Sequence, residues 1–350
     1  MQTPPSQPVP NRYHRQTIVP GIGTAGAARI GAGHAIIIGV GALGCAVAEL
    51  LARAGVGTLT LLDRDVVDLT NLQRQCLFSE ADAADRVPKS LAASRRLAAI
   101  NSSIVVRPFV ADFSARNWAD FLPAPDQPAP LLLDGTDNFE TRYLLNDIAV
   151  SRGCAYFYAG VIMCRAMTAA FTPGGPCLRC VFPDPPAPGT QPTCDTAGVL
   201  GPAVQAAAAL QAAAALRLLV GDSPEPFLID TDVWTGEQRR VRLSRQTGCP
   251  CCDLRHFEFL SRAADDTTTL CGAGSLQHWP HDASTIDLPL IAQRLRPMAE
   301  VTVSPFMLRA RIRDSHGPME MSLFADGRAL FRGITDPADA RTLYARYVGC

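Results

Sequence analysis

The residue types that could do chemistry in this chain fall into four short segments. The first is the glycine turn Gly39-Val-Gly41-Ala42-Leu-Gly44, which follows the apolar run 35–38 and opens an Ala/Leu-rich stretch. A strand, a tight glycine turn and a helix in that order let the backbone approach a phosphate closely. Asp63 ends the next apolar run, at the spacing from which a carboxylate reaches a ribose hydroxyl. A nicotinamide or flavin site would fit these residues as well as an ATP site. The polar run that follows tips the balance. Asp65, Asn71, Arg74 and Gln75, with Lys89 beyond them, sit after the second strand. Basic groups near a phosphate chain neutralise the charge that builds up in phosphoryl or nucleotidyl transfer, and hydride transfer needs no such clamp.

The third segment is Asp134-Gly-Thr-Asp137-Asn138, at the end of the apolar run 131–133. It reads either as a turn with a helix cap or as a carboxylate, Asp137, that reaches Mg²⁺ on nucleotide phosphates. The fourth is a pair of CxxC motifs, Cys177-Leu-Arg-Cys180 and Cys249-Pro-Cys251-Cys252. Four thiolates from two such turns close a tetrahedral zinc site with no open position, so the site would be structural. Cys251 is the ambiguous member. Cys194 lies apart, in a Pro- and Gly-rich stretch just before a long apolar helix. A cysteine near a helix start can be an activated nucleophile or a loop residue with no role.

These segments need a scaffold, and the periodicity supplies one. Strands at 35–38, 58–62, 104–110 and 131–134 alternate with helices at 43–54, 88–100, 114–121 and 138–152. That alternation predicts a Rossmann-like, doubly wound, mostly parallel α/β sheet. Antiparallel strands are expected in the second half, at 155–160, 163–172, 226–231 and 238–244, with a long helix at 203–219. Residues 1–11 read as a flexible tail and 12–254 as the nucleotide-binding domain with its zinc. Residues 255–287 read as a linker and 288–350 as a small β-β-β-α module. Asp326-Gly327 within that module is a hairpin signal.

Composition excludes several classes. The 350 residues are 47% hydrophobic and 19% charged, with a net charge of −1, so general nucleic-acid or anionic-membrane binding is not expected. No apolar run reaches the roughly 18–20 residues of a membrane span. The Ala-rich stretch 203–220, interrupted by Gln205, Gln211 and Arg217, reads as a buried amphipathic helix. Twelve cysteines in a long cofactor-type chain point to metal or thiol chemistry rather than disulfides, and to the cytoplasm.

Taken together, the motifs resemble the ThiF/MoeB/HesA family, the bacterial relatives of ubiquitin-activating enzymes. The resemblance runs from Arg12 to Cys252. It rests on Arg12-Tyr-His-Arg15-Gln16, GVGALG, LLDRDVVDLTNLQRQ, DGTDN, the two CxxC pairs and Thr-Cys194 ahead of AGVLGP. It implies ATP-dependent adenylation of the C-terminal glycine of a ubiquitin-like sulfur carrier ending in Gly-Gly, for thiamine or molybdenum cofactor synthesis. It also implies site roles. Asp63 would hold the ribose. Asn71, Arg74 and Lys89 would contact the phosphates, and Asp137 would bind Mg²⁺ with Asn138 beside it. Arg15 would reach in from the other protomer of a homodimer. Cys194 would sit where some members form a covalent link to the carrier. Cys177, Cys180, Cys249 and Cys252 match the zinc ligands. No rhodanese-type loop follows, so a separate protein would donate sulfur. Cys271, in the C-terminal extension, has no assigned chemistry. An NAD- or FAD-dependent oxidoreductase would leave Arg74, Lys89 and Asp137 idle, and a decayed, non-catalytic scaffold would not keep the set from Arg15 to Asp137.

Overall fold

A computed structural model describes residues 12–186, 194–261, 267–270, 275–280, 286–314, 317–334 and 336–349. The proposed tail 1–11 and Cys271 lie outside them. The chain divides into two compact units, 1–262 and 263–350.

The first unit is built on an eight-stranded sheet. Its strands are β1 (His34–Ile38), β2 (Thr58–Asp63), β3 (Val105–Val110), β4 (Leu131–Asp134), β5 (Ala155–Ile162), β6 (Arg165–Phe171), β7 (Phe227–Asp232) and β8 (Glu237–Arg242). Their order is β3-β2-β1-β4-β5-β6-β7-β8. The five strands from β3 to β5 pair in parallel, and β5 to β8 pair antiparallel. This is the doubly wound sheet with an antiparallel second half. The strand order reverses between β1 and β4, so the ligand crevice of such a sheet opens beyond the carboxyl ends of those two strands.

The helices of this unit are α1 (His14–Thr17), α2 (Gly23–Ala32), α3 (Ala42–Ala54), α4 (Glu80–Ala84), α5 (Lys89–Ile100), α6 (Trp118–Phe121), α7 (Phe139–Arg152), α8 (Leu178–Val181), α9 (Cys194–Ala197), α10 (Gly201–Leu219) and α11 (Glu258–Ser261). Two helices, α1 and α2, precede β1, and the helix expected at 114–121 is only its last turn, α6. The long loop before α10 holds α8 and α9. The helix ends carry recognisable stops. Gly55 and Gly153 close α3 and α7 at φ 85° and 66°, where a side chain on Cβ would be strained. Pro202 sits in the first turn of α10, where its missing N–H costs nothing.

One face of the sheet carries α3 and α10, which pack together through alanines: Ala46, Ala48, Ala207, Ala208 and Ala215 are all buried. Small side chains let α10 lie close against α3, β5 and β6. By length and composition α10 could cross a membrane. Here Gln211 on it is buried and donates to the carbonyls of Asp134, at the end of β4, and Phe157, within β5. The opposite face buries α7 over Ile36, Ile38, Leu132 and Tyr156.

The second unit holds a six-stranded antiparallel sheet in the order β11-β12-β13-β14-β10-β9. Its strands are β9 (Thr267–Leu270), β10 (Ser275–His278), β11 (Ala299–Val303), β12 (Met307–Asp314), β13 (Gly317–Phe324) and β14 (Ala329–Arg332), with helices α12 (Leu288–Leu295) and α13 (Pro337–Tyr347). Alternate residues Leu308, Ala310 and Ile312 on β12 and Met319, Met321 and Leu323 on β13 form its core with both helices. The stretch expected to be irregular thus contributes two strands and α12 starts at its end. Its Thr- and Ser-rich β9 and β10 have no apolar alternation to reveal them; β10 pairs with β14, and β9 pairs with β10 at the sheet edge.

Candidate active site

Register assembles the first three segments. Ile38 on β1 pairs with Leu62 on β2, and also with Asp134 on β4. The residues following each strand end therefore meet at one place. Gly39 donates its N–H to Leu62 and Gly135 donates to Ile38, both at 2.8 Å. The packing here is backbone against backbone. A Cβ on Gly44 would lie 1.9 Å from the carbonyl oxygen of Gly39, and one on Gly135 would lie 2.1 Å from the same atom. Gly39 itself has φ +82°, a conformation that favours glycine. Gly41 differs: a Cβ there would meet nothing closer than 4.0 Å. Gly39, Gly44 and Gly135 are needed for the turn itself. Gly41 and Ala42, the first residue of α3, border open space where a phosphate chain can approach.

Asp63 is buried at the rim of this turn. It accepts from the backbone N–H of Val40 and of Asp65, both at 2.7 Å. Burial raises its pKa above the ordinary carboxylate value, while Lys89 pulls the other way. Lys89 is brought in by a short bridge between Val66 and Pro88 and by its own N–H, which donates to the Asp65 carbonyl at 2.9 Å. Its Nζ is 3.1 Å from Asp65 Oδ2. Burial lowers the Lys89 pKa, but Asp65, Asp63 and Asp137 outweigh it, so the net shift is upward and the ammonium keeps its charge. Arg64 pairs with Asp112 at 2.9 Å and also feels Asp65 and Asp137. Pro88, with no N–H to satisfy, stands just ahead of α5 and places Lys89 at its first turn.

Asn71 and Arg74 lie on the loop between these groups. Asn71 Oδ1 accepts from the Asp68 N–H in a capping box, and Arg74 donates to the Thr70 carbonyl at 2.9 Å. Gln75 is buried, and its Oε1 has no hydrogen-bond partner; its Nε2 faces Gly41. The two readings of the 134–138 segment divide between its residues. Asn138 caps α7 by accepting from Thr141 N–H at 2.8 Å. Asp137, one residue earlier, is exposed. Asp134 is fully buried, and burial raises its pKa while Arg142, Thr136 and Tyr156 oppose the rise.

The four cysteines converge. The sulfurs of Cys177, Cys180, Cys249 and Cys252 all lie within 4.8 Å of one another. Cys177 is 4.0 Å from Cys180 and 3.7 Å from Cys249, and Cys180 is 3.4 Å from Cys252. A zinc ion about 2.3 Å from each sulfur needs sulfurs about 3.8 Å apart, so the donor set fits. Cys251 is buried beside this set without belonging to it, and Asn146 Nδ2 donates to its sulfur at 3.2 Å. Asn146 also accepts from the Leu178 N–H at 2.7 Å, and so joins the two knuckles. Hydrogen bonding from Cys251 lowers the Cys177 pKa, and the same contact, with burial, raises that of Cys251.

Two residues named from sequence are not assembled here. Arg15 is exposed on α1, whose neighbours anchor at the other end of the sheet. Arg12 donates to the Ile100 carbonyl and Gln16 to the Ala54 carbonyl; Tyr13 packs on Gly55. The six-residue β2 runs from that end to Asp63, its last residue, about 17 Å at the usual strand rise. Cys194 begins α9. Its segment is tied in through Met163, which donates to the Gly198 carbonyl and accepts from Leu200 N–H. The sequence reading missed Arg64, Asp65 as the partner of Lys89, and the buried group Arg142, Tyr156 and Gln211. Asp65 stood in the polar run read from sequence, but its pairing with Lys89, 24 residues on, had no local signal. The rest carry no local signal, because their partners lie far along the chain.

The ThiF family model matches residues 13–251. The sulfur carrier protein ThiS adenylyltransferase of Bacillus subtilis (strain 168) is 39% identical over 343 residues, 97% of this chain and 99% of its own length. A sulfur carrier protein adenylyltransferase of Thermus thermophilus is 35% identical over 270 residues, 75% of this chain and 96% of its own. Among solved structures, E. coli MccB with succinimide superposes with a TM-score of 0.59 over 70% of this chain and 75% of its own, at 23% identity. That likeness extends to the fold.

Proposed function

The chain belongs to the ThiF family, and from that premise we propose the chemistry of its site. It is an adenylyltransferase that activates the C-terminal carboxylate of a ubiquitin-like sulfur carrier with ATP. The observation that carries the reading is Lys89, its Nζ 3.1 Å from Asp65, placed beside the Asp63 carboxylate that holds the Val40 N–H of a glycine turn open at Gly41. A hydride-transfer site has no use for that set.

A carboxylate oxygen of the carrier attacks the α-phosphorus of ATP. A bond forms between that oxygen and phosphorus, the bond to the β-phosphate bridge breaks, and pyrophosphate leaves. The protein supplies position and charge. Gly41 admits the phosphates, Asp63 and its backbone partners seat the ribose, and Lys89 and Arg74 offset negative charge at the α- and β-phosphates. Asn71 fixes the loop that carries Arg74. Asp137 would hold the Mg²⁺ that accompanies ATP, a hard cation suited to carboxylate and phosphate oxygen. When bound, that ion adds positive charge to the leaving pyrophosphate. Zinc in the four cysteines would be structural, tying α8 to the segment after β8.

We further propose a homodimer in which Arg15 serves the partner's site, since its own helix is anchored at the far end of the sheet. The carrier ends in Gly-Gly, a separate protein supplies sulfur, and similarity to a ThiS adenylyltransferase favours thiamine synthesis over molybdenum cofactor synthesis. A reduced thiolate cluster and ATP as substrate suit the cytoplasm. Cys194 is a candidate for a covalent link to the activated carrier. The experiment is exchange of labelled pyrophosphate into ATP. Exchange that requires a Gly-Gly carrier is expected; exchange with no carrier dependence, or none with any such carrier, would overturn the reading.

A further inference from the structure

Behind Asp137 lies a buried polar group that no part of the proposed chemistry uses directly. Asp134 Oδ1 accepts from the Thr136 N–H at 2.9 Å and from the Thr136 hydroxyl at 2.7 Å. Its Oδ2 accepts from the Tyr156 hydroxyl at 2.9 Å and lies 3.3 Å from Arg142 Nε. Arg142 then reaches back to the same loop: its Nη2 donates to the Thr136 carbonyl at 2.9 Å. The rings of Phe139 and Tyr158 lie 5.4 and 5.3 Å from its guanidinium carbon. Gln211 on α10 holds the Asp134 carbonyl at 3.0 Å. Asp134 and Tyr156 are fully buried and Arg142 is 8% exposed, so these groups are walled off from a ligand in the crevice.

We infer that Arg142 and Tyr156 are positioning residues that set the Asp137 carboxylate through the buried carboxylate of Asp134. Both main-chain polar groups of Thr136 are clamped, and the next residue but one, Asn138, is fixed as the cap of α7. Asp137 is thereby held at both neighbours while its own side chain faces solvent. Groups of this kind matter because partners behind an ion-facing carboxylate are commonly worth 10- to 100-fold in affinity or activity. The inference rests on the reading of Asp137 as the group facing magnesium–ATP.

The test compares ATP binding by calorimetry with magnesium and in magnesium-free buffer, together with thermal melting. Tyr156→Phe keeps the ring and removes one hydrogen bond to Asp134. Arg142→Lys keeps the charge and loses the reach to Thr136. Asp137→Asn is the reference and is expected to abolish the gain in affinity that magnesium confers. Tyr156→Phe and Arg142→Lys are expected to cut that gain about tenfold, with affinity in magnesium-free buffer within about twofold. If Arg142→Lys fails to fold, Tyr156→Phe carries the test. Loss of the gain in Asp137→Asn but not in Tyr156→Phe would overturn the positioning role. So would equal weakening with and without magnesium, since a merely structural role predicts it. Wild-type magnesium dependence in Asp137→Asn would instead bring down the reading of Asp137 itself.

Discussion

Gly44 and Gly41 stand three residues apart in one turn and should fail in opposite ways. A Cβ on Gly44 would sit 1.9 Å from the Gly39 carbonyl oxygen and 2.9 Å from its carbonyl carbon, with Ile37 at 3.4 Å. The oxygen has to retreat by more than an ångström, and it cannot do so alone, because Gly135 packs on the same atom. Gly44→Ala should therefore cost at least about 1–3 kcal/mol, the usual penalty for overpacking a tight interior. Gly41→Ala meets only Gln75 Nε2 and the Gly135 oxygen, each at 4.0 Å. Its stability should stay within about 1 kcal/mol of wild type. The added methyl occupies the space through which the phosphates approach, so the Kd for ATP should rise tenfold or more, about 1.4 kcal/mol. Urea denaturation and calorimetry with ATP separate the two effects. Normal ATP affinity in a folded Gly41→Ala protein would refute the placement of the phosphates. Unchanged stability in Gly44→Ala would refute the packing of the turn.

Further outcomes follow from the same geometry. Lys89→Ala and Arg15→Ala should each abolish pyrophosphate exchange, yet mixing and reassembling the two variants should restore part of it, because one site in the mixed dimer has both groups; no recovery would place Arg15 outside the partner's site. Metal analysis should find one zinc per chain, and Cys177→Ser with Cys249→Ser should find none, with a loss of at least about 3 kcal/mol and a melting point roughly 6–12 °C lower. If Cys194 forms a covalent link, Cys194→Ala should leave carrier adenylation intact while cutting thiocarboxylate yield at least tenfold; an unchanged yield by mass spectrometry would remove Cys194 from the mechanism.

How much of this was legible in the sequence depends on the range of the forces involved. The strands β1, β2 and β4 could be read because each is an apolar run closed by glycine or acid, and the site residues follow those ends directly. The cysteines could be paired by spacing, but Cys251 could not be set aside until Asn146, more than a hundred residues away, was seen to claim its sulfur. Asn138 and Asp137 were both candidate caps in sequence; the bond from the Thr141 N–H gives that role to Asn138. Arg142, Tyr156 and Gln211 looked like ordinary helix and strand residues, because what distinguishes them is a carboxylate reached across the sheet. Strands β9 and β10 were hidden for a related reason: their polar sequence carries no alternation, and the partner of β10 is β14, some fifty residues along the chain.

The central claim is that this site joins AMP to a carrier's C-terminal carboxylate. Intact-mass spectrometry of a Gly-Gly carrier, incubated with the protein, ATP and magnesium and quenched early, tests it most directly. The account predicts a carrier heavier by one adenylyl group, located on its last glycine, and absent when Lys89→Ala replaces the wild type. A carrier of unchanged mass beside ATP that is turned over, or adenylyl found on another residue, would contradict it.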